Sequence, residues 1–494
     1  MKDHKYMLSR LITADPGLPR PYTREPYWLR IPHTLGEHQS PTLAPDTDVV
    51  VIGSGITGAS VAHNLLEGDD TIRVTVLEAR SLCSGASGRN GGHMVAYGGT
   101  DYDLLKTKLG VEEALQVIDF TFHTLDDLVT LIRQHGWEED SKYRGVTRIR
   151  TFGDVETLEA ARRSIAEFVA QRPDMQGFYK FIDPEEARKD HGLHGVTGAL
   201  LFSAHALWPY KLVGKVFERL VKEYQSRFQL ETNTPALSLQ YEKKCCCTEP
   251  CYTINTPRGA IRATHVVYAT NGYTGHLLPE LRGPLYAHQG SMTVQNFGPE
   301  VPNNGGQYTW SHHHQPRHNP ATTTTTFGTY YLQQNAESGY FFFGGERTTA
   351  EQSLSTDDTL PTPGTTQHLE LKLASLLGKQ PKSAQLISEW SGVMGYTADK
   401  LPLVGPVPEE VSHRSGKGEW IAAGFNGMGM CYAWRSGKAV SKTILGEKMS
   451  DWIPKAFMLL AERLNRNLLT EASVEELMRY FPPASSKRNQ TALL

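Results

Sequence analysis

The run Asp48-Val49-Val50-Val51-Ile52 passes directly into Gly53-Ser54-Gly55-Ile56-Thr57-Gly58, and no other stretch restricts the possible folds as much. A β-branched run of this kind suits a buried parallel strand. A GxGxxG set between strand and helix has a mechanical meaning at each glycine: Gly53 makes the tight turn, Gly55 lets the backbone approach a pyrophosphate, and Gly58 lets helix and strand pack closely. The pattern predicts a helix over 58–66 and a second strand over 72–77. This is a βαβ unit whose helix N-terminus offers unpaired N–H groups to phosphate, with Ile56 and Thr57, which lead into it, among the expected cofactor contacts. Glu78 follows the second strand, where a carboxylate accepts both hydroxyls of an adenosine ribose and disfavours a 2′-phosphate, arguing against NADP.

The next segment separates NAD from FAD. Ser81-Leu82-Cys83-Ser84-Gly85-Ala86-Ser87-Gly88-Arg89-Asn90-Gly91-Gly92-His93-Met94 is a glycine-studded loop where an NAD dehydrogenase would run into another helix. Such a loop brings backbone N–H groups to a second phosphate and can pass along an isoalloxazine ring, because glycine leaves no side chain in the way. FAD is the expected cofactor, and Ala79, Arg80, Ser84, Gly88, Arg89, Asn90, Gly91 and Gly92 join its expected binding set.

Composition removes other classes. With 50 Lys+Arg against 53 Asp+Glu the net charge is −3, so no basic excess exists to track nucleic acid or an anionic membrane. No hydrophobic run approaches the roughly 18 apolar residues that span a bilayer. The polar N-terminus has no signal-peptide pattern and Thr491-Ala492-Leu493-Leu494 is not a peroxisomal address, so a cytoplasmic location is expected. Cys245, Cys246, Cys247 and Cys251 crowd into one polar stretch. Adjacent thiols chelate one tetrahedral zinc poorly, so this reads as a variable hairpin loop and no metal site is expected.

Along the chain, residues 1–45 read as a Pro-rich arm lying over a domain, with seven prolines between 14 and 45. Val111, Leu115, Ile118, Phe122, Leu125, Val129 and Ile132 recur at steps of four and three, a long amphipathic helix. Further helices are expected over 156–171, 211–224, 438–445 and 455–468, and strands over 253–255, 261–262, 265–269 and 340–343. Trp208-Pro209-Tyr210 is expected to mark a domain crossing. The stretch 303–326, with His312-His313-His314 and five consecutive threonines, reads as a surface insertion.

Between Asp46 and Glu447 the sequence resembles the D-amino-acid oxidase family of FAD flavoproteins. The likeness rests on Leu77-Glu78-Ala79 with the loop Gly85 to Gly92, which looks most like γ-glutamylputrescine-type and related fungal oxidoreductases. It rests also on Val266-Val267-Tyr268-Ala269-Thr270-Asn271-Gly272-Tyr273, on Trp390-Ser391-Gly392 with Tyr396 to Gly405, and on Gly424-Phe425-Asn426-Gly427-Met428-Gly429. The resemblance implies an α/β (α+β) fold: a Rossmann-type FAD-binding domain interleaved with a substrate domain built on a mixed or antiparallel sheet with helices. The implied division is 46–100, 205–283 and 388–447 for FAD, 101–204 and 284–387 for substrate, and 448–494 as a C-terminal extension. Further FAD contacts are implied at Ala236, Thr270, Asn271, Gly272, Gly427, Met428 and Gly429.

The resemblance also implies a reaction, oxidation of a small molecule's C–N bond to an imine by hydride transfer to flavin N5, with O2 as an acceptor in oxidases, giving H2O2. Oxidation at C–O or C–C of a fungal specialised metabolite and a non-catalytic flavin protein stay open, as does the oligomeric state. Sarcosine-oxidase-like members attach FAD through a cysteine where this chain has Met394-Gly395-Tyr396-Thr397, so noncovalent FAD is expected. Their oxygen-activating lysine has no counterpart in Tyr340 to Glu346, which leaves the acceptor open. Cys431 stands where they carry a carboxylate-binding lysine, which argues against an amino-acid carboxylate in this pocket. His93, placed to hold substrate or accept a proton, Glu346, able to pair with a cationic substrate, and Tyr396, beside the flavin, are the catalytic candidates.

Overall fold

The computed structural model describes residues 1–21, 25–96, 98–242 and 252–483; the cysteine cluster Cys245–Cys251 lies outside the described residues. Among them the chain builds two large sheets. The first has the order Leu403–Pro406, Glu419–Ala423, Gly259–Tyr268, Asp46–Ile52, Val74–Leu77, Phe228–Glu231, with Tyr252–Thr256 and Ser238–Tyr241 continuing from Gly259–Tyr268. Its five strands from Glu419–Ala423 to Phe228–Glu231 are parallel, and Val49, Val50 and Val51 at its centre are fully buried. The apolar run forms the middle of a sheet covered on both faces, as a parallel sheet requires.

Helix Ile56–Gly68 leaves this sheet and packs against helix Gly429–Ile444, although 361 positions of sequence separate Gly68 from Gly429. The contact is close because Gly437 has no Cβ: one placed there would fall 2.8 Å from the Thr57 carbonyl. The first turn of the first helix therefore lies against the middle of the second.

The second sheet has nine strands, in the order Gln385–Thr397, Leu285–Asn296, Phe341–Gly344, Thr329–Gln334, Tyr308–His313, Arg144–Phe152, Gly198–Ala206, His93–Met94, with Lys180–Ile182 also on Gly198–Ala206. Some neighbours in it come from remote parts of the chain, as where Tyr308–His313 runs parallel to Arg144–Phe152. Sheet membership interleaves along the sequence. By that measure residues 388–397 and the pair His93–Met94 go with the second sheet.

Several expectations meet the structure directly. The long helix spans Val111–Gln134, and the others span Val155–Gln171, Pro209–Glu223 and Gly429–Ile444. The strands expected at 261–262 and 265–269 are one strand, Gly259–Tyr268. The helix expected over 455–468 is broken into Lys455–Phe457 and Ala461–Arg466. The stretch 303–326 is a surface feature only in its second half, where Arg317–Asn319 and Thr324–Thr326 form a hairpin with 319–323 exposed; Tyr308–His313 pairs on both edges inside the second sheet and buries Ser311 and His312 to 2% exposure. Alternation then puts His313 on the face opposite His312 and His314, so the three histidines do not converge on one point.

The N-terminal segment is more than a covering arm. Its first part is the helix Lys2–Thr13, which packs on the C-terminal helix Thr470–Tyr480 through Leu8, Ile12, Val474 and Leu477. Farther on, Trp28 is wedged between the sheets. It stacks on Phe342 at 4.0 Å, contacts Trp208 at 5.1 Å and donates its indole N–H to the Asn90 carbonyl at 2.6 Å. Trp208 itself stands where the chain passes from strand Gly198–Ala206 of the second sheet to helix Pro209–Glu223.

Candidate active site

One cavity of about 940 Å³ runs between the two sheets. This is at the top of the roughly 300–1,000 Å³ range for ligand pockets. One end is built by the glycine loop. Gly53 has φ +111, and a Cβ there would lie 2.6 Å from the Ala269 carbonyl; a Cβ on Gly58 would lie 1.9 Å from the Gly53 carbonyl. No other residue type permits this turn and this helix–strand spacing. Gly53, Gly55, Ile56 and Thr57 line the cavity at the start of one helix, and Gly427, Met428 and Gly429 line it at the start of the other. Two helix N-termini thus present positive partial charge to one space.

Glu78, Ala79, Arg80 and Ala236 line the ribose side. The Glu78 carboxylate accepts from Ser54 N at 3.0 Å, Ser54 Oγ at 2.7 Å and Arg80 N at 3.0 Å, which fixes it at the loop. Arg89, Asn90, Gly91, Thr270 and Asn271 also reach the cavity wall. Arg89 positions the loop: its Nε donates to the Ser84 carbonyl at 2.7 Å and Nη1 to the Ser391 carbonyl at 2.8 Å. Arg80 joins it through Asp358, a buried carboxylate between the two guanidiniums that the sequence pattern does not single out. Asn271 accepts from Gly424 N at 3.0 Å, tying two remote loops together.

Five expected cofactor residues stand behind the wall. Gly58 serves packing. Ser84 offers its carbonyl to Arg80 and Arg89, while Gly88, Gly92 and Gly272 face Cys83, Leu207 and Met394. Open space faces Gly85 and Gly429, where a Cβ would meet nothing within 4 Å. A cradle of backbone N–H groups, two helix N-termini and a ribose-side carboxylate fits an extended adenine dinucleotide such as FAD.

The other end belongs to the second sheet. Strands Leu285–Asn296 and Gln385–Thr397 pair His288 with Met394, Gly290 with Gly392 and Tyr286 with Tyr396. Glu346, just past strand Phe341–Gly344, accepts from His288 Nε2 at 2.7 Å on Oε2 and turns Oε1 toward Gly290, 3.1 Å from where a Cβ would stand. The Tyr396 ring lies 4.6 Å from the His288 ring. Burial, followed by the Glu346 charge, pushes the Tyr396 phenol well above its ordinary range, so it stays protonated. Glu346 and Tyr396 are thus brought together, with His288 as a third member that sequence reasoning misses.

His93 lies elsewhere in the cavity. Its Nδ1 meets Thr309 Oγ1 at 2.7 Å and Arg148 Nη1 at 3.0 Å. Burial, then Arg148 and Arg144, hold it well below the ordinary histidine range. Arginine only donates, so Nδ1 accepts and the ring proton sits on Nε2, making the neutral ring a hydrogen-bond donor toward ligand. Tyr331 bridges the two groups: its ring is 6.3 Å from His93, and its hydroxyl is 3.8 Å from the Cβ position of Gly290 beside Glu346.

Around His93 stands a cationic wall. Arg148 and Arg150 alternate with Ile149 on one strand, and the paired strand adds Ser311 and His313. Arg148 is 7% exposed, and burial lowers it to about 9. Among the described residues no carboxylate pairs with it, and Arg148 Nε, Ser311 Oγ, His313 Nε2 and His93 Nε2 lack hydrogen-bond partners. The Arg-Ile-Arg alternation is a readable sign of two arginines on one sheet face. Two lysines, Lys108 and Lys400, also line the cavity, neither from the strand where the resemblance places one.

Comparison with known proteins agrees with this geometry. The chain is 27% identical over 242 residues to γ-glutamylputrescine oxidoreductase of Escherichia coli, a match covering 47% of this chain and 51% of that protein. The chain spans about half the length of the curated relatives it matches. Glycine oxidase from Geobacillus kaustophilus superposes with a TM-score of 0.63 at 17% identity, covering 85% of this chain and 99% of that one. L-proline dehydrogenase from P. horikoshii gives 0.62 at 20% identity, covering 86% and 99%. The profile of the DAO family, FAD dependent oxidoreductase, matches residues 48–443, and the chain belongs to that family of enzymes.

Proposed function

We propose that this protein binds FAD noncovalently and oxidises the C–N bond of an amine or amino-acid-like small molecule. Bound FAD would supply the two-electron acceptor, taking a hydride from the carbon next to nitrogen at its N5. The observation that carries the reading is that one cavity joins the dinucleotide cradle to a wall holding both a largely buried carboxylate, Glu346, and a buried cation without a carboxylate partner among the described residues, Arg148.

The chain's own groups divide the work. Glu346 Oε1 accepts an N–H of the entering ammonium and takes the proton that must leave before the carbon can give up hydride; His288 Nε2 holds Oε2 and shares the carboxylate's charge. Arg148 and Arg150 hold an anionic group of the substrate by charge-assisted hydrogen bonds. This supports a carboxylated amine, against the expectation drawn from Cys431: the lysine is replaced, but arginines of another strand supply the cation. The imine product then hydrolyses in water to a carbonyl compound and an amine or ammonia. Met394 on the cavity wall, in place of an attaching cysteine, supports noncovalent FAD. If O2 is the acceptor, Lys108 and Lys400 are the lysines of the cavity wall whose ammonium could stabilise the negative charge oxygen acquires on reduction.

Anaerobic mixing of the purified protein with a panel of amines and amino acids tests the reaction. The flavin band near ~450 nm should bleach, with a carbonyl product and released amine or ammonia in amounts equal to the flavin reduced. Bleaching by alcohols alone would assign a C–O reaction instead.

A further inference from the structure

The family match ends at residue 443, yet the helix Thr470–Tyr480 supplies Glu476, Leu477, Arg479 and Tyr480 to the cavity wall. We infer that this C-terminal helix is the end wall of the substrate site, and that Leu477 and Tyr480 determine how long or bulky a substrate the protein accepts. The inference rests on the C–N oxidation reading for its substrate class. It rests on geometry for its location.

The helix reaches the catalytic candidates through consecutive ring contacts. Tyr480 lies 5.1 Å from Phe327, Phe327 lies 5.3 Å from His288, and His288 holds Glu346. Leu477, 3% exposed, packs in one cluster with Tyr286, whose strand neighbour is Tyr396. A cation already sits on these rings: Lys400 Nζ is 5.3 Å from the Tyr396 centroid and 5.8 Å from that of Tyr480, with Glu476 at 3.6 Å.

The wall is fixed from several sides. Ser473 Oγ donates to the Gly283 carbonyl at 2.8 Å, Thr325 Oγ1 donates to the Tyr480 carbonyl, and His4 on the N-terminal helix meets the Phe481 carbonyl at 2.8 Å. The helix Lys2–Thr13 backs it through Leu8 and Ile12. A rigid wall discriminates by size, because a ligand that overruns it must displace packed side chains rather than solvent.

The test uses FAD-loaded full-length protein and straight-chain primary amines from propylamine to decylamine. Both the flavin reduction rate on anaerobic mixing and the equilibrium dissociation constant, from perturbation of the flavin spectrum, are read for each amine. Leu477→Ala and Tyr480→Ala should raise the preference for the longer amines by about tenfold each, and Leu477→Trp should shift it toward shorter ones. Glu475→Ala, on the exposed side of the same helix, should leave the length profile unchanged. Unaltered length profiles in both alanine variants, with flavin content retained, would overturn the inference. If wild-type flavin is reduced neither by these amines nor by their α-carboxylated counterparts, the C–N reading fails, and the dissociation constants still decide whether the wall is where the helix is.

Discussion

Strands Asp46–Ile52 and Leu285–Asn296 lie at comparable depth in their sheets and are made of different material. The first buries Val49, Val50 and Val51; the second buries His288, Gln289, Ser291, Thr293 and Gln295, each at 6% exposure or less. In the first strand the ladder bonds satisfy the backbone and the valine side chains need nothing further, although elsewhere in its sheet the buried carboxylates Glu231 and Glu419 are met by Arg258 and Arg414. In the second the buried side chains must find partners of their own, at a cost of about 1–3 kcal/mol for each that does not. Most do: Thr362 Oγ1 donates to Gln289 Oε1 at 2.9 Å, Gln295 Nε2 to Thr293 Oγ1 at 2.9 Å, and His288 meets Glu346. Among the buried atoms left without partners in this sheet, those of Arg148, Arg150, Ser311, His313 and His93 belong to residues facing the cavity, whereas Gln295 Oε1 and His312 Nε2 stand behind it. The first sheet is a scaffold with a cofactor edge; the second is the site.

If that division holds, damage at the two ends should separate. The largest effect belongs to the cofactor end. In Gly55→Val the new side chain starts 3.0 Å from Ser87 Oγ, which accepts from Ile56 N at 2.9 Å at the helix start, and occupies the pyrophosphate approach. Flavin content measured by absorbance should fall at least about tenfold; full occupancy would show that the loop does not hold the cofactor.

At the other end, Glu346→Gln should keep its flavin and lose about 10²–10⁴-fold in the rate of flavin reduction. Loss of flavin together with rate would mean that the two ends are not separable. Arg148→Met should weaken binding of carboxylated amines by about 1.5–3 kcal/mol and leave amines without a carboxylate unaffected. Equal weakening of both would place the arginine in packing rather than recognition. His93→Ala should slow flavin reduction more than it weakens FAD binding, since the ring lies among substrate-side groups; an unchanged rate would make it a packing residue.

A smaller effect distinguishes the sheets by pH. Burial holds His93 and His313 well below the ordinary histidine range, His312 at about 3 and His368 at about 4, four groups in or against the second sheet, compared with two on the side of the first, His63 at about 4 and a lowered His265. The unfolded chain therefore binds more protons than the folded one below the ordinary value near ~6.5, and stability is present above that pH and lost as pH falls beneath it, by up to about 1.4 kcal/mol per unit for each such group. Thermal melts from pH 7 to pH 5 should show this loss. Hydrogen exchange at pH 5 should open Tyr308–His313 before Asp46–Ile52; the reverse order would contradict the comparison.

The same contrast explains what is legible in the sequence. Gly53 to Gly58, Glu78 and the loop to Gly92 are contiguous, and each residue type is dictated locally by a turn, a close approach or a charge, so the cofactor end can be read from the order of residues alone. His288, Tyr331, Arg148 and Ser311 come from strands whose pairing the sequence does not state. Tyr308–His313 reads as part of an insertion because polar composition suggests a surface, whereas in the fold it marks a buried face turned to a cavity. The N-terminal helix carries a signal in Met7, Leu8, Leu11 and Ile12, apolar at helical spacing, that the surrounding polar residues mask.

The account is tested most directly by anaerobic titration of the FAD-loaded protein with matched pairs of amines, one of each pair carrying an α-carboxylate. It predicts stoichiometric bleaching of the flavin band, reached at lower concentration by the carboxylated member. Flavin that dithionite reduces but no amine of either kind does would contradict it.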